Sequence, residues 1–378
     1  MVKRIVISIL ILIFLSSFQI NIFAENTETL PDEYEEIIDS IPDDIADLLP
    51  DEIFTQNTDN VVNGAKKITS WEYILDYIFD IIGLNTKEII KVLSIIISLL
   101  VLCSLLNLLR QSLKNPAVNS IIGLIGSIAI VSSITEITKE PISQAVLLLD
   151  QIKLFVNSIS PTITAVYAMG GNVNTALIQN YGLIVFLSIL ENICIISLEL
   201  IIGICMALTI ASSFVKDANL LALSNGIKKI FSFVWGFIAL IFSTVISTQT
   251  LLASKADNLS SKTAKMLVGH IIPLAGGTIG ESLKTAGASI EYLRSSIGVI
   301  FIVVLILMIV PTLISISLYR VVFIISHSLA ELLGCDREGR IIMEFSSILG
   351  YILAIISVCG IILLFLITIF AKCSSPLS

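Results

Sequence analysis

Charged residues are scarce in this sequence, and their scarcity decides the class of protein. Only 14% of the 378 residues are Asp, Glu, Lys or Arg, whereas about a quarter of the residues of a soluble domain are charged. The apolar residues make up 56% of the chain and are gathered into long blocks, and the mean hydropathy is +0.98. A soluble globular domain is therefore excluded, and the sequence indicates an integral membrane protein.

Residues that carry chemistry are also few. The chain has two histidines, His270 and His327, and six scattered cysteines without a CxxC pair. Neither a zinc site nor a disulfide framework is therefore expected. The sequence also contains no phosphate-binding loop, HExxH motif or GxSxG motif. We predict that the protein is not an enzyme, that it binds no metal or cofactor, and that nucleic acid is not a partner.

The first 24 residues have the pattern of a secretory signal peptide. Lys3 and Arg4 precede an apolar segment, 5–18, and Ile22-Phe23-Ala24 fits a cleavage site. An uncleaved first transmembrane anchor is the alternative interpretation.

An acidic extracytoplasmic region is predicted at 25–68. From residue 25 to residue 70 the chain has 13 Asp and Glu against two Lys. Proline is followed by two acidic residues at three places in this region. This pattern favours short helices, because proline and carboxylates are both favourable in the first turn of a helix. The region is either a set of solvated helices or an arm that docks a partner.

The remaining residues, 69–378, form the predicted membrane domain. A helix at 69–83, which begins with a capping box, is expected to lie along the membrane surface or to pack on the bundle. Spanning helices need about 20 apolar residues, and six segments qualify: 89–109, 118–138, 181–213, 230–252, 297–319 and 345–371. The segment 181–213 is one helix or two, and 321–333 is too short to span comfortably and could re-enter. The predicted fold is an all-α polytopic membrane protein with about six (six to eight) transmembrane helices.

Positive charges predict the orientation of the bundle, since short loops rich in Lys and Arg stay in the cytoplasm. Three connections carry such charges: Arg110 and Lys114; Lys216, Lys228 and Lys229; and Arg320, Arg337 and Arg340. Six spans after a cleaved signal place all three connections inside and the C-terminus outside. The segment 253–296 is also basic, yet it falls outside.

Two outer-side connections read as amphipathic helices, at 141–160 and 279–297. Apolar residues recur in both at alternating spacings of three and four, which is typical of a packing seam. The first seam consists of Ile142, Ala145, Leu149, Ile152, Val156 and Ile159, and the second of Ile279, Leu283, Ala286, Ile290, Leu293 and Ile297. The seams would pack on each other, on the bundle, on a second copy of the chain or in the lipid interface.

Glycine-rich stretches are the first candidates for a functional site. Their residues are Gly170, Gly171, Pro273, Gly276, Gly277 and Gly280. Glycine pairs at membrane depth interrupt helices, which is tolerated where the backbone is buried in protein or lines a cavity, and a GxxxG step lets helices approach closely. The stretches are either discontinuous elements around a pore, as in many transporters, or tight packing corners.

Ionisable residues within the apolar blocks are the second candidates, because charges at membrane depth are costly and need a partner. They are Glu191, Glu199, Arg320, His327 and Glu331. Arg320, His327 and Glu331 share one helical face, and either glutamate could pair with Arg320 if the helices match in depth. A proton relay and a carboxylate in a wet groove are both compatible with this pattern.

Three stretches of the sequence occur in an order that is typical of one family. "MGGNVNTAL" precedes a long apolar block, "KTAKMLVGHIIPLAGG" precedes an amphipathic helix, and "SIGVIFIVVLILMIVP" follows that helix. With the signal and the acidic region, this order resembles the stage III sporulation protein AE family of endospore-forming Firmicutes. The resemblance runs from about residue 85 to residue 371 and is most specific at 160–186 and 260–312.

The resemblance implies a non-enzymatic subunit of a secretion-like channel complex between mother cell and forespore, required for forespore development after engulfment. It also implies a multi-pass protein in the mother-cell-derived membrane around the forespore. The implied partners are membrane lipid and other stage III sporulation operon proteins, including an ATPase and ring-forming subunits. The family has no established catalytic residues to carry over, and a homo-oligomer is left open.

Two other functions remain alternatives from the residues themselves. A self-sufficient secondary transporter would place its substrate site near Glu191, Glu199 and the broken helices. A membrane-embedded hydrolase would depend on His327, but the lack of a nucleophile motif argues against it.

Overall fold

The structure is a computed structural model that describes short stretches between residues 41 and 70 and then residues 71–112, 116–169, 189–190, 192–212, 220, 222–242, 244 and 276–372. Six long helices account for most of these residues: α1 (Trp71–Ser112), α2 (Pro116–Met169), α3 (Asn192–Ser212), α4 (Ala222–Phe242), α5 (Gly276–Leu332) and α6 (Asp336–Lys372). Each contains a segment long and apolar enough to cross a membrane. No strand occurs in the described ranges. The predicted all-α fold with six spanning helices is confirmed.

Three of these helices each join segments that the sequence pattern separates. Helix α1 includes both the amphipathic start at 71–83 and the apolar segment 89–109. Helix α2 continues from 118–138 into 141–160, and α5 continues from 279–297 through 297–319 to residue 332, so that 321–332 is not a separate re-entrant segment. The amphipathic parts of these helices are apolar on one face and the other parts are apolar all round. Both patterns have the period of a helix, so the change between them indicates different surroundings rather than the end of the helix.

One end of the bundle brings together an end of each of the six helices, and we call it the turn end. Ser104 of α1 donates a hydrogen bond to the Leu333 carbonyl after α5, and Ser127 of α2 donates to Glu338 of α6. The last described residue of α3, Ser212, accepts a hydrogen bond through its carbonyl from Arg337. Near the start of α4, Lys228 pairs with Glu344 of α6. The helices therefore alternate in direction.

The described parts of α3 and α4 have the length of one bilayer, whereas the other four helices are far longer. Each described part has 21 residues, or about 31 Å at the rise of an α-helix, close to the hydrocarbon thickness of about 30 Å. Helix α2 has 54 residues and α5 has 57, which correspond to about 81 and 86 Å. Since the six helices meet at the turn end, α2, α5 and the 37-residue α6, with the start of α1, each have a part that lies farther from it than the apolar thickness of one bilayer. We call this part the distal projection.

Helix α5 is the centre of the packing. Its residues 300–305 and 307–309 are all buried, which requires neighbours on every side. The seam of α2 supplies one neighbour: Ala145, Leu149, Ile152, Val156 and Ile159 are buried. Beside that seam, Phe155 lies edge-to-face against Phe301 of α5 with ring centroids 6.2 Å apart.

The described part of the acidic region also packs on the bundle. A short helix, Asp43–Ala46, contacts α5, and a 3-10 turn, Asp51–Phe54, follows. The buried side chains of this region are Ile41, Ile45, Leu49, Ile53 and Ile68, which join the same core. Their burial ties the region to the bundle through apolar contacts, while carboxylates such as Asp51 stay exposed.

Candidate functional site

A polar cavity lies at the turn end. Its volume is about 510 Å³. It is lined by residues from α1, α2, the turn after α5 and the start of α6: Asn107, Arg110, Gly123, Gly334, Asp336, Arg337, Glu338 and Arg340. We call it the arginine cavity, because three guanidinium groups border one space.

The turn between α5 and α6 shapes this cavity. Gly334 has a φ of +67°, the left-handed conformation that glycine adopts without strain. The Gly334 N–H donates to the Glu331 carbonyl and the Cys335 N–H donates to the Ala330 carbonyl, which is the Schellman arrangement that ends a helix. Helix α6 can therefore begin at Asp336, so that its charged first turn faces the end of α1.

Gly123 makes room for Arg110. A Cβ atom at position 123 would lie 2.8 Å from Nη1 of Arg110 and 3.0 Å from its Cζ, and real Cβ contacts are not that short. The same Nη1 donates to Oδ1 of Asn107 at 3.1 Å. The Nε atom of Arg110 is buried without a hydrogen-bond partner in the described part of the chain. The guanidinium is thus held in position yet keeps unused donor capacity.

Two carboxylates of α6 are tied to neighbouring helices. Glu338 is buried and accepts a hydrogen bond of 2.9 Å from the Ser127 hydroxyl of α2. Further along α6, Glu344 forms an ion pair with Lys228 of α4, and their side chains are 12% and 1% exposed. Asn225 donates a further hydrogen bond to Glu344 at 3.4 Å. An ion pair buried this deeply depends on both partners, since either charge alone would be unpaired.

A second polar level lies along α1 and α2, away from the turn end. Exposed charges lie on α1 and α2 at Lys87, Glu88, Lys91, Glu136, Lys139 and Glu140; we call them the charged belt. Glu88 accepts a hydrogen bond of 2.6 Å from the Tyr319 hydroxyl of α5. Glu88 lies 16 residues before Ser104 in the sequence, or about 24 Å along the helix. The belt and the turn end are therefore separated by about the thickness of a bilayer's apolar core.

The α2 side of the belt is also joined to α5. Ser315 donates a hydrogen bond of 2.8 Å to Oε1 of Gln144, and the Gln144 amide donates to Glu140 at 3.1 Å. Both Ser315 and Tyr319 are buried. Polar groups on α5 are thus satisfied by side chains that reach in from the belt, as buried polar groups require.

A proline interrupts the hydrogen-bond ladder of α5 just beyond this level. Pro311 lies inside the helix and has no N–H to donate to the Leu307 carbonyl four residues earlier. The Tyr77 hydroxyl of α1 donates to that carbonyl at 2.8 Å. A side chain from a neighbouring helix therefore replaces the missing backbone donor, as is needed where water is excluded.

The predicted ionisable residues do not converge on one place. Glu199 is exposed on α3, next to a π-helical turn, Ile201–Cys205, and it forms no ion pair with Arg320 in the described part of the chain. Arg320 instead donates from Nε to the Ser346 carbonyl of α6 at 3.1 Å. Its guanidinium lies over Gly350, where a Cβ would be 2.9 Å from Cζ. Glu191 lies outside the described residues.

His327 and Glu331 lie one turn apart on α5. Nε2 of His327 is 3.5 Å from a Glu331 oxygen. Nδ1 is buried without a hydrogen-bond partner within the described chain, and it would lie 3.1 Å from a Cβ at Gly339. Glu331 itself is exposed. This face of α5, which the sequence predicted, therefore packs on small residues of α6.

The structure describes only some of the predicted glycine-rich positions. Gly276, Gly277 and Gly280 lie in the first turns of α5, and so they begin a helix. Gly170, Gly171 and Pro273 lie outside the described residues. Their pore or packing role stays a prediction.

Several polar contacts were not anticipated from the sequence, namely Lys228 with Glu344, Ser127 with Glu338, Tyr77 with Leu307, and Arg110 over Gly123. Only the contact of Tyr77 with Leu307 has a signal in the sequence. A proline inside an apolar helix leaves the carbonyl four residues earlier without its backbone donor, so another donor is needed there. The other contacts join positions far apart in the chain, so no local pattern indicates them.

The turn end also contains a buried thiol. Cys335 accepts a contact from the Asn107 amide at 3.6 Å, and burial raises the pKa of this thiol above its usual value, with the nearby Glu338 carboxylate acting in the same direction. Such a thiol stays protonated and is a poor nucleophile. Among the described residues, no group of three or more His, Cys, Asp or Glu is placed to hold a metal ion.

Comparison with known proteins identifies the family. The family model described as stage III sporulation protein AE matches residues 54–374. The stage III sporulation protein AE of Bacillus subtilis (strain 168) is 23% identical over 250 residues, which is 65% of this chain and 61% of that relative. No solved structure matches the chain. Because the family match includes all six helices, this chain belongs to the stage III sporulation protein AE family.

Proposed function

We propose that this chain is a multi-pass membrane subunit of a secretion-like channel complex between mother cell and forespore, required for forespore development after engulfment. The single observation that carries the proposal is the family match over residues 54–374. A role in sporulation follows from that membership, and we propose that this role is exercised within the channel complex. The protein would lie in the mother-cell-derived membrane around the forespore.

The architecture supports a subunit rather than a self-contained transporter. Polar groups of α5 are satisfied by fixed contacts with the belt and with Tyr77, and Glu199 is exposed on α3 rather than paired with Arg320. The arrangement therefore resembles a rigid scaffold. Within the described residues, which do not include Glu191, no ion pair joins Glu199 to a second helix.

The distal projection offers a surface for partners. Leu147 and Leu154, on the part of α2 that leads into the projection, are 58% and 67% exposed. Exposed apolar residues outside the membrane favour contact with another protein. Under the proposed orientation, this surface faces the space between the two membranes, where ring-forming subunits of the same operon would dock. The turn end would face the mother-cell cytoplasm, and with it the operon's ATPase.

An in-frame deletion in the native host tests the proposal, with microscopy of sporulating cells. We expect normal vegetative growth, complete engulfment, and then forespores that fail to mature, with rescue by a copy of the gene expressed in the mother cell. Normal spores, or a defect in growing cells, would contradict the proposal and would favour the transporter alternative.

A further inference from the structure

We propose that the arginine cavity binds a phosphate group, supplied either by the headgroup of an anionic phospholipid or by a soluble phosphate compound. The inference rests on the geometry of the turn end and is independent of the proposed channel function. It assigns a ligand chemistry to a cavity that the packing of the helices does not fill.

The charges of the cavity favour an anion. Three arginines line it against two carboxylates, and one of those, Glu338, is engaged by the Ser127 hydroxyl. The other, Asp336, is exposed in the first turn of α6, where the positive end of the helix dipole offsets its charge. Neither Arg110 nor Arg340 forms an ion pair with these carboxylates in the described part of the chain. The described residues therefore leave the positive charges of Arg110 and Arg340 without an ion-pair partner.

The donors of the cavity suit phosphate in particular. Guanidinium groups are planar forks that bind phosphate oxygens through paired hydrogen bonds. The Arg110 guanidinium donates a hydrogen bond to Asn107 and occupies the space beside Gly123. Its Nε–H has no hydrogen-bond acceptor among the described residues. A volume of about 510 Å³ lies within the range of small-ligand sites. A preorganised donor in a space of this size is a built site rather than a surface charge.

The location fits the headgroup level of a membrane. The cavity lies where α1, α5 and α6 leave their apolar segments, on the end of the bundle that the positive charges assign to the cytoplasm. Basic pockets between transmembrane helices on that side recognise anionic headgroups. A soluble phosphate compound would enter the same cavity from the cytoplasm, so the test must separate the two sources.

Thermal unfolding of the purified full-length protein in detergent provides the test. Phosphatidylglycerol, phosphatidylcholine and inorganic phosphate are titrated separately, and the midpoint Tm is recorded. We expect a saturable rise in Tm with phosphatidylglycerol or with phosphate, and none with phosphatidylcholine, since a ligand that binds only the folded state stabilises it. A rise with phosphatidylglycerol alone identifies a lipid site, and a rise with phosphate that competes with the lipid identifies a soluble ligand.

Three variants locate the effect. Gly123→Ala keeps every charge but displaces the Arg110 guanidinium, and Arg340→Gln removes one exposed guanidinium. Each should raise the half-saturating ligand concentration about tenfold, which corresponds to about 1.4 kcal/mol. Lys229→Gln removes an exposed positive charge from the same end of the bundle but outside the cavity, and it should leave binding unchanged.

Two results would overturn the inference. One is a Tm that neither phosphatidylglycerol nor phosphate changes. The other is an equal loss of binding in Lys229→Gln, which would mean that general charge attraction suffices. Should Gly123→Ala fail to fold, the comparison of Arg340→Gln with Lys229→Gln still decides between these results, because both side chains are exposed.

Discussion

The Tyr77 hydroxyl donates a hydrogen bond of 2.8 Å to the Leu307 carbonyl, across the interface between α1 and α5. That carbonyl lacks its helical donor because residue 311 is proline. The bond therefore couples an amphipathic helix of the distal projection to the all-round apolar core helix. It also explains why a proline is tolerated in the middle of α5.

Tyr77→Phe should destabilise the protein, because it leaves the Leu307 carbonyl buried without a donor. The expected loss is about 1–3 kcal/mol of unfolding free energy, measured by chemical or thermal unfolding in detergent. Pro311→Ala restores an N–H at that position. In the Pro311→Ala background, Tyr77→Phe should therefore cost clearly less. An equal cost in both backgrounds would show that Tyr77 does not act through this carbonyl.

Gly350→Ala should break the contact between Arg320 and the Ser346 carbonyl. The added methyl would lie 2.9 Å from the guanidinium carbon, so the side chain must leave its hydrogen bond. We expect a lower Tm and a loss of about 1 kcal/mol. Gly236→Ala is the matched control, since nothing lies within 4 Å of a Cβ there, and it should be neutral or stabilising. Similar Tm values for the two variants would refute the assigned contact.

Lys228→Met should be strongly destabilising, because it leaves the Glu344 carboxylate without its ion-pair partner. The expected cost is about 3–5 kcal/mol. The double variant Lys228→Met with Glu344→Met removes both charges and should regain most of that stability. Lys229→Met, at the exposed neighbouring position, should have little effect. The ion pair is not the cause if the double variant is no better than Lys228→Met.

Cys335 should react slowly with iodoacetamide in the native protein. Its pKa is raised by burial and by the Glu338 carboxylate, so the thiolate is scarce at neutral pH and increases only as the pH rises through the raised value. The same shift means that the folded protein loses the corresponding stability as the pH rises above the ordinary thiol range. Mass spectrometry at a series of pH values, with the unfolded protein as reference, measures the rate. Equal rates in the native and unfolded protein at neutral pH would contradict this assignment.

Much of the fold follows from local patterns in the sequence, whereas the polar contacts do not. The number of helices and the buried seam from Ala145 to Ile159 can be predicted because apolar period and block length are local properties. The pairing of Lys228 with Glu344 joins positions 116 residues apart, so it depends on how α4 packs against α6. Sequence alone identified Arg320, but its partner is a backbone carbonyl, which no residue pattern reveals.

Local sequence patterns also do not predict that α5 is one continuous helix. The apolar pattern at 279–297 differs from that at 297–319 and predicts two separate helices, but the backbone of α5 runs through both. A helix that passes from one environment into another keeps its hydrogen bonds and changes only its surroundings. The distal projection is therefore identified from the helix lengths together with the contacts at the turn end, and hydropathy alone does not reveal it.

Cysteine labelling tests the central claim of this account, that the distal projection and the turn end lie on opposite sides of the membrane. The five cysteines of the described chain are buried, and Cys373 is replaced by Ser. Asp150→Cys places an exposed thiol on the projection, and Lys229→Cys places one at the turn end. With a membrane-impermeant maleimide, we predict labelling of position 150 in intact protoplasts and of position 229 only after lysis. Labelling of position 229 in intact protoplasts, or protection of position 150 until lysis, would contradict the account.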